Sequence, residues 1–352
     1  MAVASAVHLP LRHPRLPRWA PGLVAVAAAA GAGIVSLSLG WGVVVWALLG
    51  TFVYLVALPL WSRIVENSRA AKDRLVTSLI WVALVIAFIP LVSLLYKVVK
   101  EGAGELSTQF LTYSMRNVIG GGGGIYHALI GTLLITLGAT VISVPIGLLT
   151  SIYLVEYGVR SRMASAIRFL VDVMTGIPSI VAGLFAYALF VLVTGQQGIH
   201  VGIGGAVALS LLMIPIVVRS AEEMLKLVPT DLREASYALG VPKWLTILRI
   251  VLPTALPGII TGITLAISRV IGETAPLLII AGSTDSVNFN LLSGQMMTLP
   301  VDIYYSYTQP GLHPEFARGH AWGAALILII IVMALNLTAR LLGRVFAPKT
   351  GR

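Results

Sequence analysis

Apolar runs of membrane-spanning length alternate along the chain with short polar connectors. A transmembrane helix needs about 20 predominantly apolar residues. Eight runs come near or exceed that length, at about Leu23–Leu39, Trp41–Leu60, Leu75–Tyr96, Ala128–Tyr153, Ile167–Val193, Gly202–Leu225, Gly258–Ala281 and Ala321–Leu342. Prolines inside these runs predict bends, because neighbouring helices can bond the freed carbonyls; they are Pro145, Pro178, Pro215 and Pro276. The pattern predicts an all-α polytopic membrane protein.

Composition supports this reading. The chain is 57% hydrophobic and 11% charged, with a mean hydropathy of +0.93, which is too apolar for a soluble protein of 352 residues. It contains no cysteine, so disulfides and zinc-thiolate sites are excluded while the redox compartment stays undetermined. The net charge of +10 does not indicate nucleic-acid binding, because the charges fall in loops on one side.

The distribution of basic residues predicts the orientation. With the N-terminus inside, the inner segments carry 18 of the 24 Lys and Arg residues and the outer segments four. Lys and Arg concentrate in the cytoplasmic loops of membrane proteins. We therefore expect a multi-pass protein of the cytoplasmic (inner) membrane, with both termini and the loop around Glu234 in the cytoplasm. The inner residues are Arg12, Arg15, Arg18, Arg63, Arg69, Lys72, Arg74, Arg160, Arg162, Arg168, Lys226, Arg233, Lys243, Arg249, Arg340, Arg344, Lys349 and Arg352.

The first 21 residues form a proline-rich basic tail followed by an apolar run. This order resembles a signal peptide, but a second span follows almost at once, which favours a retained anchor. We therefore expect a cytoplasmic tail (1–21), an accessory transmembrane pair (22–61) and a six-span core (75–346).

The polar loop between the third and fourth spans contains five consecutive glycines, Gly120–Gly124, which cannot hold a helix. No Lys-Ser or Lys-Thr follows them, and the chain has no phosphate-cradling P-loop. The run is expected to be a flexible linker, and ATP binding by that motif is excluded.

The pattern of residues 229–257 predicts two short amphipathic helices that protrude between two spans. Asp231 and Glu234 are expected to cap the first helix, and Gly240 to end it. A second helix begins after Val241 and is expected to be broken by Pro253 and Pro257.

The spacing of seven residues in this segment resembles the EAA loop of ABC importer permeases, the element that docks into the ATPase subunit. Ser236 stands where that loop usually has alanine, and a small residue is expected to pack there. Such a helix pair could instead pack within its own chain. The coupling residues are Glu234, Ala235, Ser236, Gly240, Ile250, Leu252 and Pro253.

Two arginines, Arg219 and Arg269, fall inside predicted spans. Arg269 is 11 residues from one end of its span and 12 from the other, which places it near the midplane, where an arginine costs about 2.5–3.5 kcal/mol on insertion scales. Glu222 and Glu223 follow Arg219 by three and four residues and Glu273 follows Arg269 by four, so each pair would share a helix face.

These charges allow two interpretations. They could be structural ion pairs between helices, or the guanidinium groups could pass an oxyanion across the membrane, with carboxylates holding them when the site is empty. Asp172 and Glu156 could be interfacial, and Asp172 could also line the inner end of the pathway. The six histidines have no metal-ligand spacing, and no catalytic constellation rises above chance, so no covalent chemistry is expected.

Five blocks within about Ala128–Phe346, or about 60% of the chain, resemble the PstA-type membrane subunit of phosphate-specific ABC importers. They are Tyr153–Asp172, Gly176–Tyr187, Ile214–Trp244, Gly262–Leu278 and Leu299–Tyr305. The resemblance implies a type I ABC importer permease fold, with a six-helix core plus two additional N-terminal helices that exceed the usual six.

The resemblance also implies partners: a homologous PstC-type permease, a PstB-type ATPase dimer that binds ATP and Mg²⁺, and a PstS-type phosphate-binding protein. The chain itself would need no cofactor and catalyse nothing. The family's residues associated with phosphate passage match Arg219, Glu222 and Arg269; Glu273 is added here as the expected partner of Arg269. The outer loop 282–319 would contact the loaded binding protein, with Asp285, Asn288, Asn290, Gln295 and Asp302.

The expected function is therefore the permease of an ATP-driven phosphate importer. A permease for molybdate or sulfate is the first alternative. Phosphate keeps a proton at neutral pH and sulfate does not, so an acceptor carboxylate such as Glu222 or Glu273 beside the arginines favours phosphate. An ATP-independent anion transporter is the second alternative, and it would need an internal repeat that the two halves do not clearly show.

Overall fold

The computed structural model describes residues 15–345 except 119, 159 and 160, and it leaves out the side chains of residues 344 and 345. The described residues are helical or irregular, without a strand, so the predicted all-α class is confirmed. Within the predicted tail and orientation pattern, Arg12, Arg160, Lys349 and Arg352 lie outside the described residues. Contacts divide the chain into two compact units, Met1–Tyr96 and Lys97–Arg352.

The first unit contains α1 (Ala20–Ser38), α2 (Val43–Val65) and most of α3 (Ser68–Gly102). Every fourth residue of α1 is buried and small or β-branched, which lets the backbone of α2 approach closely. These residues are Ala20, Val24, Ala28, Ala32 and Ser36. A Cβ added at Gly50 of α2 would lie 3.5 Å from that of Ala32, which is ordinary van der Waals contact, so the two helices pack directly against each other at this point.

The second unit holds the remaining helices. They are α4 (Thr108–Thr112), α5 (Tyr126–Ile152), α6 (Arg162–Thr175), α7 (Ser179–Thr194), α8 (Gly202–Lys226), α9 (Thr230–Ala238), α10 (Lys243–Thr246), α11 (Leu252–Val270), α12 (Ala275–Ile280), α13 (Leu299–Thr308) and α14 (Pro314–Val345). A 3₁₀ turn covers Ala103–Glu105, and π-helical turns cover Tyr153–Tyr157 and Ile247–Val251. The predicted non-helical glycine run is irregular at the residues described.

Helix α8 is the centre of this unit, since it packs against α5, α6, α7, α11 and α12. Its buried face is rich in glycine, alanine and serine, residues that allow close helix packing in membranes. Ile135, Leu209 and Met213 belong to the main core between α5 and α8. The helix that carries two of the predicted site residues is therefore the one most firmly held.

Seven helical segments of the described chain are long and apolar enough to cross a membrane, or eight if the bent pair α6–α7 is one span. That pair covers the predicted fifth span, but it is not one continuous helix: α6 and α7 are bent by 109°. The break falls at Gly176–Pro178, because proline has no N–H to donate and disfavours the helical conformation of the residue before it.

The predicted seventh span, Gly258–Ala281, is also displaced. The helical segment runs from Lys243 to Val270, so the expected break at Pro253 and Pro257 is wrong. Pro253 lies at the start of α11, directly after the π-helical turn, and such a turn changes the carbonyl pattern that a helix-interior proline would otherwise meet. The segment after Val270 turns and forms the separate short helix α12.

Candidate functional site

The structure brings Arg219 of α8 into contact with two carboxylates. Arg219 Nη2 donates to Asp172 Oδ1 at the end of α6, and Nη1 lies 3.4 Å from Glu222 Oε2. The Arg219 side chain is 36% exposed and that of Asp172 60% exposed, whereas that of Glu222 is 2% exposed. One partner of the guanidinium is therefore accessible and the other is part of the protein interior.

Glu222 joins three cations at once. Its Oε1 accepts from Arg168 Nε at 3.0 Å and lies 2.8 Å from Lys226 Nζ, and its Oε2 faces Arg219. Arg168 also donates to the carbonyl of Leu154 at 2.9 Å. Because a buried carboxylate is strongly unfavourable without partners, this arrangement explains how Glu222 can stay charged in the interior.

Helical spacing generates the network. Arg219, Glu222 and Lys226 share one face of α8, and Arg168 and Asp172 are four residues apart on α6. Sequence reasoning found the Arg219–Glu222 pair but not Arg168, whose distance of 54 positions from Glu222 leaves no local signal. Glu223, the other expected partner, is exposed and makes no ion pair with a described residue.

Arg269 lies in the last turn of α11 and is exposed. Glu273 is half-buried and lies beyond the end of that helix, which stops at Val270. No ion pair within 4.0 Å joins them in the described chain, so the expected pair on one helix face is wrong. The assignment of both residues to anion passage stays a prediction.

Two glycines of α11 fix its alignment with α8. A Cβ at Gly262 would lie 1.5 Å from Ser220 Oγ, and one at Gly258 would lie 2.1 Å from Met224 Sδ. The two helices are therefore antiparallel, and Arg219 is level with residue 263. Arg269 is six positions further along α11, or about 9 Å at 1.5 Å per residue. The backbones of the two arginines therefore lie at different depths along the helix pair.

The coupling segment folds as two helices joined at Gly240, whose φ of +75° is readily available only to glycine. The first residue flanking α9 is Pro229 and no side chain caps that helix, so the expected capping role of Asp231 is wrong. Of the seven predicted coupling residues, Ser236 is buried, Ile250 and Leu252 are half-buried, and the other four are exposed, namely Glu234, Ala235, Gly240 and Pro253.

A hydrogen bond accounts for serine, rather than the usual alanine of the EAA loop, at position 236. Its Oγ lies 2.8 Å from Thr246 Oγ1, and both side chains are buried between α9 and α10. The bond links α9 directly to α10. Alanine would pack there but would leave Thr246 with fewer partners.

A buried carboxylate attaches the coupling helices to the rest of the unit. Arg233 of α9 donates to Glu156 Oε1 at 2.9 and 3.0 Å and also to the carbonyls of Leu225 and Val228. Lys243 of α10 donates to the Glu156 carbonyl and lies over the ring of Tyr157, 4.8 Å from its centroid. Sequence reasoning left Glu156 as an interfacial residue, because its partners are 77 and 87 positions away.

At the opposite end of the unit, Asp302 Oδ2 lies 2.9 Å from His320 Nε2, and both side chains are buried. Asp302 is therefore wrong as an exposed contact for a binding protein, because its carboxylate is turned inward from α13 to α14. Among the described residues, no group of His, Asp and Glu side chains has the arrangement of a metal site.

Residues 143–352 match the family model described as the binding-protein-dependent transport system inner membrane component. The chain is 48% identical over 277 residues to phosphate transport system permease protein PstA 1 of Mycobacterium tuberculosis (strain CDC 1551 / Oshkosh), covering 78% of this chain and 89% of the relative. It is 39% identical over 283 residues to PstA of Yersinia pestis, covering 80% and 92%.

Among solved structures, the chain resembles an inward-facing structure of the MetNI methionine ABC transporter, with a TM-score of 0.50 and 21% identity over 64% of this chain and 94% of that one. At this identity the likeness concerns the fold alone. The family match and the relatives together establish that the chain belongs to the binding-protein-dependent transport permeases, in the family of PstA phosphate transport system permease proteins.

Proposed function

We propose that the chain is the membrane permease subunit of an ATP-driven importer of inorganic phosphate. The observation that carries this proposal is the 48% identity, over 78% of the chain, with a permease named for phosphate transport. Translocation would need no covalent chemistry in this subunit, and ATP hydrolysis would be supplied by a partner ATPase.

Arg219 would receive the anion. Its guanidinium is partly exposed and is bonded to the accessible carboxylate of Asp172. A guanidinium binds carboxylate and phosphate oxygens by the same paired N–H donors, so an arriving phosphate would replace Asp172 while Glu222 holds Arg219 from behind. The interaction with Asp172 would thereby exclude anions that bind too weakly to replace it.

Arg269 would act at a second level of the same route. The backbones of the two arginines are offset by about 9 Å along the α8–α11 pair, at 1.5 Å per residue. The two arginines would therefore bind the anion in succession, with Arg269 on α11 at one level and Arg219 on α8 at the other.

The carboxylates near the arginines differ in their availability. Glu222 is occupied by three cations, so it is poorly placed to accept a hydrogen bond from the substrate. Glu273 is half-buried and Asp172 exposed, and either could accept a hydrogen bond from the P–OH group that phosphate keeps at neutral pH. This acceptor capacity favours phosphate over sulfate or molybdate, which remain the alternative substrates.

The coupling helices would dock into the ATPase through an exposed apolar surface. Leu239 is 84% exposed and Trp244 61% exposed, which is unusual for large apolar side chains on short, polar-flanked helices. The rigid link through Arg233 and Glu156 would pass the ATPase movement to α5 and α8. An ATP-independent transporter would have no use for this surface.

The assembly would contain a PstC-type permease, two PstB-type ATPase subunits with ATP and Mg²⁺, and a PstS-type phosphate-binding protein. The basic residues of the described loops support placement in the cytoplasmic membrane with the coupling helices and both termini in the cytoplasm.

The deciding experiment is phosphate uptake by the four-component complex reconstituted in liposomes. We expect uptake to require ATP and the binding protein, and excess arsenate to compete while sulfate and molybdate do not. Uptake by this chain without an ATPase, or stronger competition by molybdate or sulfate than by arsenate, would contradict the proposal.

A further inference from the structure

The first unit contains a cleft of about 580 Å³ at the ends of its three helices. Its walls come from the segment before α1 and the start of that helix, from the second half of α2, and from the N-terminal part of α3 as far as Trp81. Its base is an ion pair: Arg74 Nε and Nη2 each lie 2.8 Å from an oxygen of Glu66. Glu66 also accepts from the hydroxyl of Ser62 at 2.6 Å and the backbone N–H of Leu16 at 2.8 Å.

The Glu66 carboxylate is therefore fully occupied by donors. The Arg74 guanidinium and these further hydrogen bonds lower the pKa of Glu66 to about 2 against the opposing effect of burial. Its charge is thus neutralised within the cleft base, and it links the segment before α1 to α2 and α3. The base is a rigid support rather than a free anionic group.

Two unoccupied cations lie in the walls. Arg15 and Arg69 line the cleft, are exposed, and have no carboxylate within 4.0 Å among the described residues. Asp73 is the remaining acid in the lining. Between residues 15 and 74 the chain carries six basic and two acidic residues, all at this end of the helices, so the field in the cleft attracts anions.

Two aromatic side chains also line the cleft, and one of them continues into an apolar surface. Tyr54 of α2 and Trp81 of α3 line the cleft. Trp81, Leu84 and Phe88 follow one another along one face of α3, and they are 60%, 44% and 53% exposed. Tryptophan is typical of the membrane–water interface. The cleft is therefore cationic at the level of the lipid headgroups and becomes apolar towards the hydrocarbon interior of the membrane.

We propose that this cleft binds one anionic phospholipid. Arg15 and Arg69 contact the phosphodiester oxygens, and an acyl chain lies along Trp81 and the face of α3 beyond it. Basic clefts between transmembrane helices on the cytoplasmic side recognise anionic headgroups in this way. The lipid would fix the first unit in the membrane, which gives the two additional N-terminal helices a role.

Lipid binding can be tested on the full-length chain purified in neutral detergent. Native mass spectrometry would compare retention of phosphatidylglycerol and phosphatidylcholine with identical acyl chains. We expect retention of phosphatidylglycerol alone, and an affinity at least about tenfold lower for the double variant Arg15→Gln/Arg69→Gln, given the contribution of each basic residue near an anionic headgroup. Inorganic phosphate and glycerol 3-phosphate should neither bind nor compete.

A matched control is the double variant Arg18→Gln/Arg63→Gln, which removes two charges at the same end of the helices without touching the cleft lining. It should retain the lipid. Three outcomes would each overturn the proposal. Equal losses of phosphatidylglycerol in both double variants would show diffuse surface attraction, and competition by glycerol 3-phosphate would show a site for a soluble ligand. Equal retention of phosphatidylglycerol and phosphatidylcholine by the wild type would exclude a headgroup site.

The position of the acyl chain has its own readout. Phosphatidylglycerol brominated on its acyl chains should quench the fluorescence of the wild type more than that of Trp81→Phe, since bromine quenches tryptophan at contact. Equal fractional quenching in both proteins would place the chain elsewhere and contradict the proposed cleft.

Discussion

Asp172 and Arg219 are in direct contact, although 47 positions separate them in the chain. Asp172 lies near the end of α6, four residues before the break that bends α6 from α7, and Arg219 lies on the central helix α8. The contact thus joins a site where the backbone changes direction to the most firmly packed helix. A carboxylate in this position occupies the donors that an oxyanion substrate would need.

Replacing Asp172 by asparagine should make Arg219 more available to anions. An exposed ion pair contributes about 0.2–1 kcal/mol, so we expect phosphate affinity of the resting complex to rise by up to about fivefold and selectivity against sulfate to fall. Equilibrium binding of labelled phosphate to the nucleotide-free complex would measure this. Asp231→Asn, an exposed change on α9, is the control; unchanged or weaker binding in Asp172→Asn would contradict the competition.

Glu222 and its sequence neighbour form a matched pair. Glu222→Gln leaves Arg168, Arg219 and Lys226 near one another without the buried negative charge that pairs with all three. Bonds to charged groups contribute about 1.5–3 kcal/mol each, but the three cations can still reach water, so we expect a loss at the lower end of that range. Thermal unfolding of the purified complex should show a lower Tm for Glu222→Gln and no change for Glu223→Gln.

Arg269→Gln should abolish phosphate uptake while the complex still assembles. The residue is exposed at the end of α11 and makes no ion pair within the described chain. Its loss should therefore remove a hydrogen-bond donor for the anion without breaking an ion pair that the structure needs. Uptake and co-purification of the ATPase would be measured together. Arg63→Gln removes an exposed guanidinium in the first unit and should transport normally; normal uptake by Arg269→Gln would remove Arg269 from the pathway.

The class of the fold could be predicted because apolar runs of membrane length and the charge of the connectors are local properties of the sequence. The exact limits of two spans could not. At Gly176–Pro178 proline caused a bend of 109°, whereas Pro253 and Pro257 were accommodated after a π-helical turn. The same residue type thus ends one helix and not another, and the difference depends on local backbone geometry, here the π-helical turn that precedes Pro253.

The candidate site divides in the same way. Arg219 and Glu222 are three positions apart, so helical periodicity was enough to pair them. Arg168 and Glu156 obtain their roles from partners 54 and 77 positions away, which periodicity does not reveal. Arg269 and Glu273 were paired on the assumption of a continuous helix, and the end of α11 at Val270 removes that assumption.

The bond between Ser236 and Thr246 should stiffen the coupling helices. Each of Ser236→Ala and Thr246→Val should lower stability by about 0.5–1.5 kcal/mol, and the double variant should cost less than the sum of the two because they remove the same bond. Unfolding of the complex would give these free energies. Strict additivity would show that the two hydroxyls act independently; Thr230→Val, on the exposed start of α9, is the control.

The ion pair of Glu66 and Arg74 predicts a pH dependence confined to the first unit. Glu66 lies in the connector between α2 and α3, outside the membrane-spanning segments, and hydrogen bonds from Arg74 are the main cause that lowers its pKa from 4.5 to about 2. A carboxyl with a lowered pKa in the folded state stabilises that state above its ordinary pKa. The stabilisation should therefore be complete above pH 4.5 and be lost as the pH falls towards 2.

Fluorescence of Trp81, which lines the same cleft as Glu66, would report the opening of this connector between pH 6 and pH 2, with Trp81→Phe providing the background. In Glu66→Gln the connector should already be open at neutral pH, because glutamine cannot neutralise Arg74, and its signal should not change over the range. Asp73→Asn, which alters an exposed acid in the same cleft, should keep the wild-type transition. A transition in the wild type that survives in Glu66→Gln would assign the pH dependence to another group.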